Sequence, residues 1–164
     1  MATLRLSYQT IEFGKIDIHL CTLRNKQEFH DPEGTAEALG ISSATWPIFG
    51  ILWPSSLVLA HFVSNYDIGT KRVLEIGCGT ALSSLLLNKQ HVDITATDYH
   101  PEVETFLNRN SLLNGDTVIP FERTGGLLKS GYTLGGAWDC DWKGENRLLY
   151  WAVIRTFPCS DVAV

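Results

Sequence analysis

What most constrains this chain is a change of hydrophobic period across Lys71–Phe121. Arg72–Ile76 is a short apolar run closed by Gly77, the length and composition of a buried strand. Ala81–Asn88 then sets Leu82, Leu85 and Leu86 on one side at helical spacing. Val92, Ile94 and Ala96 alternate with other residues up to Thr97-Asp98, a second strand. Pro101 opens a second helix, with Glu102 and Glu104 well placed against its N-terminal dipole. Val103, Phe106, Leu107 and Leu113 supply its buried stripe, Asn114-Gly115 stops it, and Thr117–Phe121 reads as a third strand. This β-α-β-α-β order predicts a parallel sheet with right-handed crossovers, its strands lying in the order third, second, first.

The chain before this core is different in kind. Ile11, Phe13, Ile16, Ile18 and Leu20 alternate about Gly14-Lys15, which predicts a hairpin within Leu4–Leu23. Asn25–Thr45 is polar and turn-rich, with a turn expected at Asp31-Pro32-Glu33-Gly34. Trp46-Pro47 and Trp53-Pro54 follow, and Pro54 suits the first turn of a helix over Ser55–Tyr66. That helix is apolar most of the way round, so burial is expected. Ala38–Tyr66 has no Asp, Glu, Lys or Arg, but Pro47, Pro54, Ser42, Ser43, Ser55, Ser56 and Asn65 interrupt it. A loop and a buried helix fit it better than a membrane span.

The chemistry concentrates at Val73-Leu74-Glu75-Ile76-Gly77-Cys78-Gly79-Thr80, which leaves a strand and enters a helix. Gly77 and Gly79 allow a tight turn and close approach of a ligand. Asp98 ends the next strand, where a carboxylate can accept hydrogen bonds from both hydroxyls of a ribose. A dinucleotide site would need a third glycine where Leu82 stands, and Glu75 would repel a pyrophosphate. Glu75 could instead help hold the amino group of a zwitterionic ligand. S-adenosylmethionine has that amino group and a sulfonium, and no phosphate. An inert glycine turn is the alternative at this point.

At these residues the chain resembles the class I, seven-β-strand S-adenosylmethionine-dependent methyltransferases. It looks nearest to methyltransferase family 16, the group that includes protein-lysine methyltransferases. The resemblance runs from about Glu33 to Glu122 and takes in Gly50–Ala60. It implies a Rossmann-like α/β fold, with residues 1–45 as a hairpin and loop extension and 46–164 as the cofactor-binding domain. It also implies that Trp53 contacts the cofactor, that Gly77, Cys78 and Gly79 lie under its methionine end, and that Asp98 holds the ribose. Trp53 could equally serve core packing, and Trp46 reads as core. Tyr99 either flanks the adenine or is a partly exposed strand-end residue. His100, just after Asp98 and Tyr99, reads as a cap or surface residue.

Matching ends near Thr124, so the C-terminal half is expected to be shortened or divergent. Arg123-Thr124-Gly125-Gly126 lacks the group's Trp after the third strand. Arg147-Leu148-Leu149-Tyr150 has Arg where the group's Asp-x-x-Tyr-like motif has an acid. The forty-odd residues that remain are too few for four more strands and their helices. Gly125–Gly136 does not read as a helix, whereas Leu148–Ile154 could cover the free edge of the first strand. A poor methyltransferase is the expectation, because the crevice would lack a wall. No general base is evident: Asp139 and Asp141 read as solvated carboxylates.

Methyltransferase activity on a protein side chain such as lysine leads the functional expectations. The alternatives are a non-catalytic cofactor- or partner-binding remnant and a small-molecule methyltransferase. Over 164 residues the net charge is −5, and no Lys/Arg cluster occurs. Nucleic acid is therefore not an expected partner. Cys21, Cys78, Cys140 and Cys159 form no C-x-x-C pair, and no His stands at metal-ligand spacing. Free thiols, no metal and a cytoplasmic location are expected, and MATLRLSYQTIEF lacks the form of a secretory signal. The pattern says nothing about oligomeric state.

Overall fold

The computed structural model describes residues 4–123 and the backbone of Val153–Phe157. Cys140, Cys159, Asp139, Asp141, Gly125–Gly136 and the Arg147–Tyr150 run lie outside the described residues.

Strand β1 (Leu6–Phe13) pairs antiparallel with β2 (Ile16–Leu23), in register from Leu6↔Leu23 to Phe13↔Ile16. The two-residue turn has Gly14 at a φ of 68°, the left-handed value that a hairpin turn needs at its first central position. The expected alternation is borne out on β2, where Ile18 and Leu20 are fully buried. Asp31 makes the expected turn, Gly34 N–H donating to its carbonyl. Its carboxylate also caps the short α1 (Thr35–Ala38) through Ala36 and Glu37 N–H.

A 3-10 helix over Trp46–Gly50 leads through extended Ile51 and Trp53 into α2 (Pro54–Ser64), with Pro54 in its first turn. Trp46–Ser64 is long and apolar enough to cross a membrane by length and composition. Its continuous α-helix, however, is 11 residues, about 16 Å at 1.5 Å per residue and half a bilayer core. All-round burial of α2 is corrected: Ala60 and Val63 are buried, but Val58 is 65% and Phe62 61% exposed. Among the described residues α2 packs chiefly on α3, and its His61 lies against Phe13.

The core is as expected in topology. Strands β3 (Arg72–Ile76), β4 (Ile94–Asp98) and β5 (Phe121–Arg123) lie parallel in the order β5-β4-β3. Helix α3 (Leu82–Lys89) connects the first two and α4 (Val103–Leu113) the second and third. β5 starts later than the period suggested. Pro120 has no N–H, and its carbonyl accepts from Ala96 N–H, so the ladder proper begins at Phe121. Ile119 just before it is buried while Val118 is exposed. Both helices end as the sequence intends. Gly115 is left-handed, with Gly115 N–H on Leu112 O and Asp116 N–H on Ser111 O. His91 makes the same stop after α3 without the freedom of glycine.

On its other edge β3 pairs antiparallel with β6 (Val153–Phe157), in register from Ile76↔Val153 to Arg72↔Phe157. The edge of β3 is thus covered by Val153–Phe157, a stretch rich in β-branched and aromatic residues that takes in the end of the expected Leu148–Ile154 run.

The hairpin is tied to the core through β2 and α4. Cys21 N–H donates to Asn110 Oδ1 at 2.7 Å, and Asn110 Nδ2 donates back to Cys21 O at 3.2 Å. One helical turn on, Asn114 does the same with His19, at 2.8 and 2.7 Å. Two amides spaced i, i+4 thus stand in for a neighbouring strand along the edge of β2.

Candidate functional site

Parallel register builds the site. Ile76 pairs with Thr97, so the turn leaving β3 and the residue ending β4 lie side by side. Cys78 N–H donates to Thr97 O at 2.9 Å, and Gly79 N–H donates to Asp98 Oδ2 at 2.9 Å. Asp98 Oδ1 takes His100 N–H at 2.9 Å. Each carboxylate oxygen thus has one backbone donor and keeps lone-pair capacity for a ligand. Burial raises the Asp98 pKa above the usual carboxylate value, while the N–H donors of His100 and Gly79 oppose that rise.

The turn needs both its glycines. Gly77 and Gly79 have φ of 68° and 53°. A Cβ on Gly79 would also stand 3.1 Å from Phe49 O, so the 3-10 helix of Trp46–Gly50 presses on the turn. Ala81 enters α3 in the left-handed region with no glycine to ease it.

Glu75 is buried beneath the turn. Its Oε2 accepts Ser84 N–H at 3.0 Å and also the Ser84 hydroxyl, so it satisfies a donor in the first turn of α3. Burial pushes its carboxyl up to about 7; the Ser84 bonds act against this, and the Asp98 charge adds to it. Cys78 is buried too, and its thiol is pushed well above its ordinary value, first by burial and then by the Glu75 and Asp98 charges. It is a neutral packing group here.

Trp53 is half-buried, with Nε1 donating to Ile48 O at 3.0 Å and the ammonium of Lys26 over its ring. Tyr99 is 45% exposed, and its hydroxyl donates to Leu39 O at 2.9 Å, which ties the strand end to the chain after α1. Glu75, Gly77, Cys78, Gly79, Asp98 and Tyr99 therefore gather at the ends of β3 and β4. Trp53 joins them through the Ile48–Gly50 backbone.

His100 was expected as a cap or surface residue, and it is a cap: Nδ1 accepts Glu102 N–H at 3.2 Å where α4 begins. It is not on the surface. It is buried, stacked on Phe49 with centroids 4.0 Å apart and edge-on to Trp46. Burial pushes its pKa down to about 4; Asp31 opposes this and Arg123 adds to it. Trp46 is core, as expected, at 1% exposure. Phe49 was not singled out from the sequence. A lone Phe in an uncharged run carries no sign that its carbonyl will meet a glycine turn thirty residues away.

Among the described residues no group of His, Cys, Asp or Glu is placed to hold a metal, and Cys21 and Cys78 are free thiols. Fold and site together define a Rossmann-like segment of the kind methyltransferases use.

The family model for lysine methyltransferases, methyltransferase family 16, matches residues 40–120, and over this span the chain is similar to that family. Over 81 residues it is 38% identical to the protein-lysine methyltransferase METTL21E of Bos taurus, covering 47% of this chain and 28% of that protein. Over 52 residues it is 40% identical to the putative methyltransferase-like protein 21E pseudogene of Homo sapiens, covering 29% and 19%. The chain thus spans less than a third of the length of these relatives.

Proposed function

We propose that residues 46–123 form the donor-binding part of an S-adenosylmethionine-dependent methyltransferase whose acceptor is a protein lysine. One observation carries the reading: Gly79 N–H and the Asp98 carboxylate, nineteen residues apart, are joined at adjacent parallel strand ends. The residues fit the group. The turn bears two carboxylates, Glu75 and Asp98, which suit a ligand with a sulfonium and an ammonium and oppose a pyrophosphate. Gly79, having no Cβ, lets Phe49 O stand against the turn and hold its shape.

In this reading Asp98 accepts the ribose hydroxyls, the Gly77–Gly79 backbone lies under the methionine end, and Glu75 offers charge to the amino group. Trp53 and Tyr99 border the site. When bound, the cofactor supplies an activated methyl group. The chain's task is to align the acceptor nitrogen and keep water out, and a desolvated surround favours the neutral amine. A protein partner, no nucleic acid, no membrane and a cytoplasmic location belong to the same proposal. The net charge of −5 and the free thiols of Cys21 and Cys78 support it.

Titration calorimetry of the full chain with S-adenosylmethionine tests the donor site. Binding that Asp98→Ala weakens by about 1.5–3 kcal/mol is the expected result. Unchanged affinity in a folded variant would remove Asp98 from the site. Transfer of labelled methyl to lysine-bearing candidate proteins tests the acceptor.

A further inference from the structure

Lys26 stands over the indole of Trp53, its Nζ 4.8 Å from the ring centroid. Lys26 is exposed and Trp53 half-buried, so a soluble ligand can reach the pair. The negative face of the ring attracts an ammonium. A charged lysine has no lone pair to attack a methyl group. The contact is therefore that of a cation on a cation-binding face, not of an acceptor poised to react. The indole is held in place by its bond to Ile48 O, and the next carbonyl, Phe49 O, is the one that lies against Gly79. The face that Lys26 occupies thus belongs to a side chain anchored to the wall of the Gly77–Thr80 turn.

We propose that Lys26 is a tethered competitor for the Trp53 face and thereby sets the preference of the site between charged and uncharged ligands. The inference rests on the reading of Trp53 as a residue bordering the cofactor. A sulfonium donor and its thioether product differ by one methyl group and one positive charge. With an ammonium already on the indole, a sulfonium must displace it or lose the face and meet like charge. A thioether has no charge to place there and is indifferent to Lys26. Lys26 therefore weakens the donor relative to the product, and any ligand that wins the face frees the Lys26 side chain.

The test measures affinities of the full chain for S-adenosylmethionine and S-adenosylhomocysteine, in the wild type, Lys26→Gln and Lys26→Arg. Lys26→Gln is expected to tighten the sulfonium ligand about two- to fivefold, the scale of one exposed cation–π contact, and to leave the thioether unchanged. Lys26→Arg keeps the wild-type ratio. Equal shifts for both ligands, or none, would overturn the proposal. Proton NMR of the ligand-free chain gives an independent reading. The Lys26 ε-methylene should show an upfield ring-current shift that saturating S-adenosylmethionine removes and S-adenosylhomocysteine does not. Its absence in the free chain overturns the proposal whatever the cofactor does. If the shift is present but neither ligand binds the wild type, the donor-site reading fails, and the role of Lys26 as a competitor falls with it.

Discussion

Along the seam between α4 and β2, Asn110 and Asn114 use both ends of their amides, each giving one hydrogen bond to a β2 backbone carbonyl and taking one from a β2 N–H. At the turn between β3 and α3 the buried polar groups are of another sort. Glu75 is a carboxylate with only Ser84 for support, and the hydroxyls of Thr80 and Ser83 find no partner among the described residues. On α4 itself only the Ser111 hydroxyl is left that way. Neutral, fully paired amides are how a fold closes a seam. Buried acids and unpaired hydroxyls weaken a fold, and they persist where a ligand is to complete them. On the proposed reading of the turn, the same helix-to-strand scaffold carries one region paired for stability and one left for binding.

The largest test of that contrast is Asn110→Ala. It strands the Cys21 N–H and C=O in a fully buried environment, at about 1–3 kcal/mol for each group. A loss of about 2–5 kcal/mol in urea denaturation is expected. Under conditions where the variant stays folded, donor affinity should hold. Loss of affinity in proportion to stability would show that seam and site are one unit.

Glu75 comes next, through pH. Its folded carboxyl, at about 7, lies above its ordinary 4.5, so the folded state holds the proton more tightly than the unfolded chain. Stability should therefore fall as pH rises from about 4.5 to 7, by on the order of 3 kcal/mol for this group, and stay level above. Glu75→Gln keeps an oxygen for Ser84 N–H and should flatten that fall. Thermal denaturation across the pH window reads it. A variant with the same slope as the wild type would assign the slope to other groups.

In the proposed function the same carboxyl faces the ligand's cations. A cation arriving beside Glu75 favours its ionised form, so S-adenosylmethionine binding near pH 6.5 should release a fraction of a proton. Calorimetry in buffers of different ionisation enthalpy measures the release, and Glu75→Gln should abolish it. Proton-neutral binding by the wild type would mean that the ligand's cations lie away from Glu75.

The smallest expected effect is a control that belongs to neither region. His91 sits at a φ of 62° where α3 stops. His91→Gly should stabilise the chain by about 1 kcal/mol and leave donor affinity unchanged. A destabilised variant would mean that the imidazole makes a contact worth more than the strain.

Some of this molecule was legible before folding. The period change of Lys71–Phe121 determined three parallel strands, two crossover helices and their order, because buried strands and amphipathic helices leave different spacings of apolar residues. Gly77, Gly79 and Asp98 were legible as well, since a tight turn and a strand-end acid are local requirements. Gly115 and Pro54 marked the end of one helix and the start of another for the same reason. What the sequence could not carry was anything resting on contact between distant segments. The start of β5 moved to Phe121 because Pro120 has no N–H to offer its neighbour strand. Val58 and Phe62 are exposed because, among the described residues, the packing of α2 falls on its Ala60 and Val63 side. His100 is buried because Trp46 and Phe49, fifty residues earlier, close over it. Asn110 and Asn114 look like ordinary polar residues of a helix until β2 lies alongside them. Lys26 meets Trp53 only because the loop after β2 folds back on the chain leading into α2. Local pattern determines which elements form and where a turn must be tight. Only tertiary packing decides which polar groups are paired and which cation rests on which ring.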